Sequence, residues 1–168
     1  MHVEPLNTTQ LQNMLKCINV KVTSAEGLPL VCKNACFVLN LSYLNEPPGS
    51  HWYYFETHND KLIIFDSLAL NFVRNDQLKY MKKCKKKLVV SRKRLQGDSS
   101  ACGYYSIAFS FFRYFGGTLP EFVKLFGTNR VENDRKVVKL VRKLIGNPDA
   151  RGDSCSAFLR KIKKSISL

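Results

Sequence analysis

Histidine is scarce in this chain, with three in 168 residues, and acid is scarce too, 13 Asp and Glu against 27 Lys and Arg. So few histidines argue against a histidine-rich metal centre, and no histidine cluster stands beside Cys32-x-x-x-Cys36 to make that pair a zinc site. Long apolar runs are missing as well. The longest, Ile107 to Phe115, is interrupted by Ser110 and Arg113 and is too short and too polar to span a bilayer. Residues 1–30 lack the charged-then-apolar pattern of a signal peptide, so a secreted protein is not expected. Internal repeats and low-complexity linkers are absent, and one domain over residues 1–168 is expected. No helix-turn-helix, zinc-finger or RNA-recognition signature is present to read bases.

What remains is a globular composition. With 45% hydrophobic residues the chain can bury a core. Its six cysteines stand at irregular spacings, unlike a secreted disulfide scaffold. Cys17, Cys32, Cys36 and Cys155 read as buried or incidental thiols, and a reducing compartment is expected. Asn7-Thr8-Thr9 caps a first helix containing Leu11, Met14 and Leu15. Ile18 to Val22, Cys36 to Leu44, the aromatic run after His51, Leu62 to Phe65, and Leu88 to Val90 read as strands. Helical spacing runs from Leu68 to Met81, from Tyr104 to Phe115, from Thr118 to Gly127, through Val137, Val138, Val141, Leu144 and Ile145, and through Phe158, Leu159, Ile162 and Ile166. The fold class is α+β.

The chemistry concentrates at Ala101-Cys102-Gly103, where a polar turn gives way to a helix. The first turn of a helix offers unpaired N–H groups and a positive dipole end, which together stabilise a thiolate. A nucleophilic thiol also needs a base, a group that orients the base, and donors for an oxyanion. His51 stands at the mouth of an aromatic strand, and the following strand ends in Asp66-Ser67. In such a hairpin the two are neighbours across the ladder, so the carboxylate can fix the imidazole tautomer while the other ring nitrogen faces a thiol. His2 lies at the terminus and His58 at the far end of the hairpin, which leaves His51 as the base. Gln96, six residues before Cys102, lies in a polar connector that can bring its amide beside the Cys102 N–H.

In the order His51, Asp66, Gln96, Cys102, these residues resemble the adenovirus-type cysteine endopeptidases and their relatives, the SUMO-specific proteases. The likeness rests on Gly49-x-His51-Trp52 before an aromatic strand, on a second strand ending in an acid, and on Gln96-Gly97-x-x-Ser100-Ala101-Cys102-Gly103. It covers roughly residues 30 to 115. Two features depart from the viral pattern. Asp66 stands where glutamate is usual, within an Asp66-Ser67-Leu68 run closer to the SUMO-protease branch, and the Gln-to-Cys connector is one residue shorter than the commonest spacing. The resemblance implies a papain-like, adenovirus-protease-like fold: a central mixed sheet packed by helices, with the catalytic cysteine at the N-terminus of a central helix. It implies His51 as general base, Asp66 as its orienting group, Cys102 as nucleophile and Gln96 as oxyanion donor.

A net charge of +14 is the second strong signal. Lys82, Lys83, Lys85, Lys86, Lys87, Arg92, Lys93 and Arg94 fall in one stretch without an acidic residue, and Arg160, Lys161, Lys163 and Lys164 form another. Such clusters attract a polyanion by phosphate neutralisation, with salt-dependent, sequence-blind affinity. The resemblance implies DNA as a cofactor of this kind. It also implies a short viral activator peptide held by a disulfide to a cysteine placed like Cys84, the alternative being an incidental exposed thiol. The expected function is cleavage of viral precursor proteins at Gly-containing sites during virion maturation. The expected form is a monomer of the host nucleus and virion, with DNA and polypeptide partners and no membrane or metal. The chemistry itself needs no cofactor. A protease that removes SUMO or another ubiquitin-like modifier, and a non-catalytic basic nucleic-acid-binding module, remain as alternatives.

Overall fold

Aromatic and β-branched residues crowd the middle of the chain, and there the backbone forms a sheet. A computed structural model describes residues 3–28, 34–42, 51–70 and 75–145. The five strands are β1 (Val20–Ser24), β2 (Ala35–Asn40), β3 (Trp52–His58), β4 (Lys61–Phe65) and β5 (Lys87–Val90), paired in the order β1-β2-β3-β4-β5. β2, β3 and β4 are antiparallel, whereas β1 runs parallel to β2 and β5 parallel to β4, so the sheet is mixed. The period of two sorts the side chains: Val38, Trp52, Tyr54, Ile63 and Phe65 enter one core, and Phe37, Leu39, Tyr53, Phe55 and Leu62 the other. Because both faces are covered, β3 is buried from Trp52 to Thr57 rather than alternating with polar residues.

The helices are α1 (Thr8–Leu15), α2 (Asn75–Cys84), α3 (Cys102–Tyr114), α4 (Leu119–Lys124) and α5 (Arg130–Ile145). α1, α3, α4 and α5 supply the larger core, and α2 covers the opposite face, where Tyr80 meets Phe55 edge to face at 5.5 Å. α3 is buried continuously from Gly103 to Phe111, as a helix enclosed on all sides must be. Phe109 contacts Phe65 at 4.6 Å, Tyr54 at 4.9 Å and Phe122 at 5.0 Å. Near its end Arg113 makes two 2.7 Å bonds to the buried Glu56 of β3, and Gly116, with φ 90°, turns the chain away.

Several boundaries differ from the sequence reading for local reasons. Asn19 adopts a left-handed conformation (φ 54°), so the first strand starts at Val20 and Ile18 belongs to a short turn. β2 ends at Asn40, whose side chain accepts the Ser42 N–H at 2.9 Å and bends the chain. Helix does not start at Leu68, because the Asp66 carboxylate takes the N–H groups of Leu68 and Leu70 and Ala69 is left-handed (φ 51°). The expected last helix, the cluster at Arg160–Lys164, Cys32 and Cys155 lie outside the described residues. Cys17 is disulfide-bonded, which corrects its reading as an incidental thiol: sequence spacing does not encode which sulfurs meet. The cysteine pattern therefore no longer argues for a reducing compartment. Cys36 and Cys102 are free. Among the described residues, no helix is long and apolar enough to cross a membrane.

Candidate active site

The β3–β4 hairpin sets the acid and the base. Its register pairs Tyr54 with Phe65; one step further, Asp66 falls opposite Tyr53, two residues from His51. His51 itself precedes the strand and is locked there by its carbonyl, which accepts the Leu41 N–H at 2.8 Å. Its ring stacks near Tyr53 (centroids 6.5 Å apart, planes at 20°) and is 4% exposed. The Nε2–H donates to Asp66 Oδ1 at 2.6 Å. The carboxylate is in turn held by two backbone donors, Leu68 N on Oδ1 (2.8 Å) and Leu70 N on Oδ2 (2.9 Å), so it cannot swing away from the ring.

The thiol arrives from α3. Cys102 is the first residue of that helix, half-buried, and its side chain lies close enough to His51 to raise the imidazole's pKa. With Nε2 committed to Asp66, Nδ1 is the nitrogen left for the sulfur. Burial opposes charge on the imidazole, yet the hydrogen bonds and charges of Asp66 and Cys102 outweigh it and push His51 up to about 9. Gly103, next to the thiol, lies where a Cβ would meet Leu6 at 3.2 Å, and the Trp52 indole donates to the Leu6 carbonyl at 3.0 Å. The segment before α1 thus packs against both the nucleophile's helix and the base's strand.

Gln96 is 2% exposed and lies on the loop that leads into α3. Its backbone N–H and that of Leu95 both donate to the Ser67 carbonyl, at 3.0 and 2.9 Å. Ser67 Oγ donates to Gln96 Oε1 at 2.6 Å, which orients the amide, and Gln96 Nε2 gives one hydrogen to Ser99 O at 2.5 Å. Its second hydrogen has no partner among the described residues. Ser67, adjacent to Asp66, therefore ties the acid to the Gln96 loop. On the other side of the loop stand Asn133 and Asp134 of α5, both 3% exposed. Asn133 Nδ2 donates to Leu95 O (3.1 Å) and Gly127 O (3.2 Å). Burial and the charge of Asp134 push the Tyr105 hydroxyl up, so it stays protonated and donates to that carboxylate at 3.1 Å. The sequence marks this pair only faintly. The apolar stripe Val137, Val138, Val141, carried one turn back, falls on Asn133 and Asp134, and polar residues at stripe positions signal buried hydrogen bonding.

The basic run is not one patch. Lys86 Nζ bonds Asn59 O and the Lys87 N–H donates to Asp60 O at 2.7 Å, at the hairpin turn remote from His51. β5 then carries the chain along the sheet edge, and Arg92, Lys93 and Arg94 arrive at the end where Gln96 lies. Lys93 Nζ donates to Phe126 O at 2.9 Å, and Arg94 reaches Gln96 O at 3.0 Å and Asp98 at 2.8 Å, so these two brace loops. Lys82, Lys83, Lys85, Lys87 and Arg92 are exposed. α5 adds a basic face that its apolar stripe hides from the sequence: Arg135, Lys139, Arg142 and Lys143 are exposed. Cys84 is disulfide-bonded, which corrects its reading as a thiol free to anchor a peptide; a peptide would have to displace the existing bond. Among the described residues, no group of three or more His, Cys, Asp or Glu side chains could hold a metal.

The architecture is similar to that of the ASFV pS273R protease. One crystal structure of that protease superposes with a TM-score of 0.55 at 15% identity, over 79% of this chain and 66% of that one. Its selenomethionine form gives 0.53 at 14% identity over the same shares. This chain thus spans a little under two thirds of the length of the ASFV protease. AvrA delL154 with IP6 and CoA superposes with a TM-score of 0.43 at 12% identity, over 96% of this chain and 85% of that one, too loosely to support any argument. No protein-family model matches the chain, and no curated protein matches it. The likeness establishes the fold alone: a mixed five-stranded sheet packed with helices, the architecture seen in that protease.

Proposed function

We propose that the chain is a cysteine endopeptidase of viral type. One observation carries this reading: a buried imidazole bonded to a carboxylate, with the thiol that opens a central helix close enough to raise the ring's pKa. Cys102 is the nucleophile, His51 the base that takes its proton, and Asp66 the group that holds the ring's tautomer. The thiolate adds to the scissile carbonyl. The oxyanion meets the free hydrogen of Gln96 Nε2 and the backbone N–H of Cys102, which as a first-turn donor lacks an intrahelical acceptor. His51 then protonates the leaving amine, and water hydrolyses the thioester with the same imidazole as base. No metal or organic cofactor enters these steps.

The finer reading is an adenovirus-type enzyme that matures viral precursor proteins at Gly-containing sites. In it the exposed lysines of the β5 edge bind DNA without regard to sequence, and the enzyme works as a monomer in the host nucleus and the virion. Deconjugation of a SUMO-like modifier is the second reading, and Asp66-Ser67-Leu68 favours it. A purely nucleic-acid-binding role would leave the His51–Asp66–Cys102 contacts without a purpose. A peptide vinyl sulfone ending in Gly should label Cys102 alone, and Cys102→Ala and His51→Ala should each abolish turnover with the fold intact. Labelling elsewhere, or turnover surviving in either variant, refutes the protease. Cleavage of a basic precursor peptide stimulated by duplex DNA supports the first reading; cleavage only of a Gly-Gly-linked modifier supports the second.

A further inference from the structure

Asp134 is a buried carboxylate with no part in proton transfer, and every bond it makes points at the segment carrying Gln96 and Cys102. Oδ1 and Oδ2 each accept the Gly97 N–H at 3.2 Å; Oδ2 accepts Ser99 Oγ at 2.7 Å and Oδ1 accepts the Tyr105 hydroxyl at 3.1 Å. Gly97 and Ser99 flank the Gln96 amide, and Ser99 supplies the carbonyl that holds its Nε2 at 2.5 Å. The approach is close enough that a Cβ on Gly97 would meet Asp134 Oδ2 at 3.0 Å. Next to it, Asn133 holds the carbonyl of Leu95 at 3.1 Å. The two neighbours on α5 therefore grip the chain immediately before and immediately after Gln96. Ser67, on the opposite side, holds the amide oxygen at 2.6 Å and accepts the Leu95 and Gln96 N–H groups, but among the described residues it bonds nothing after Gln96.

Resting on the protease reading above, we infer that Asp134 is a positioning residue of the reaction, fixing the loop so that the free hydrogen of Gln96 stays aimed at the oxyanion. Charge suits this duty. A carboxylate accepts from three donors at once, whereas a neutral amide in its place would turn an N–H toward one of them. An oxyanion donor is effective because it is already in place when charge develops, and a shift on the order of 1 Å costs about 100-fold. The loop itself has no regular structure to hold it, so the helix behind it supplies the rigidity.

The test separates steps that need an oxyanion donor from steps that do not. Asp134→Asn should lower kcat on a Gly-containing peptide by about 10- to 100-fold, with KM changed less than about threefold. Alkylation of Cys102 by iodoacetamide, a displacement without an oxyanion, should keep its wild-type rate. In a Gln96→Ala background, Asp134→Asn should cost nothing further, because the group it positions is gone. Effects that multiply in the double variant, or an alkylation rate that falls with kcat, overturn the inference in favour of a merely structural role. If Asp134→Asn does not fold, Ser99→Ala and Tyr105→Phe each remove one of its contacts and should show the same pattern at smaller size; their failure to do so also overturns it. Wild-type Cys102 that iodoacetamide alkylates no faster than in His51→Ala would instead defeat the protease reading.

Discussion

His51 is the residue on which charge and geometry meet. Its pKa is raised from 6.5 to about 9, against the pull of burial, by the hydrogen bonds and charges of Asp66 and Cys102. The sign follows. The imidazolium persists through neutral pH, its contribution to stability is complete below about 6.5, and it is lost as pH rises through about 9. The kcat/KM profile should therefore fall on an alkaline limb near 9, where the imidazolium is lost. Asp66→Asn removes a charge that raises the ring, so the limb should move to lower pH; an unmoved limb would show that the carboxylate does not act on the ring. Gln96→Ala should cost about 100- to 1,000-fold in kcat, the usual loss for one oxyanion donor, while iodoacetamide still alkylates Cys102.

Among the helices, α3 supplies the most residues to the larger core and presents the thiol at its first residue. Phe109 at its centre is fully buried among Tyr54, Phe65 and Phe122. Phe109→Ala should destabilise by about 3–5 kcal/mol in denaturant unfolding. A loss under about 1 kcal/mol would mean that the ring cluster is looser than its geometry indicates. The far end of the helix is tied to β3 by the Arg113–Glu56 pair, with side chains 17% and 6% exposed. Glu56→Gln leaves Arg113 half-buried without its counter-charge and should cost about 3–5 kcal/mol, whereas replacing both by apolar residues of similar volume should cost less. Equal losses in the two variants would contradict this account.

For the whole molecule the informative quantity is where a charge of +14 sits. The exposed lysines before β5, Arg92 after it, and the basic face of α5 are separate in sequence, and Lys82–Lys87 lie toward the end of the sheet remote from His51. If they contact duplex DNA, log Kobs should fall steeply and linearly with log salt. Changing Lys82, Lys83, Lys85 and Lys87 together to Gln should flatten that slope and leave peptide cleavage without DNA unchanged. Affinity indifferent to salt would remove DNA from the account.

His51, Asp66, Gln96 and Cys102 were legible in the sequence because each stands at a boundary that local chemistry announces: the mouth of an aromatic strand, the end of its partner, a polar connector, a helix start. Individual strands and helices followed from periods of two and of 3.6 in the apolar residues, whereas the mixed sheet and the central place of the Cys102 helix were implied by the family resemblance. Ser67, Asn133 and Asp134 acquire their meaning only when distant segments meet, since a buried hydrogen bond between residues 37 positions apart leaves no local pattern. The bonding of Cys17 and Cys84 and the splitting of the basic run have the same origin. Propensity and periodicity act over a few residues, whereas these features depend on which surfaces the sheet and helices bring together.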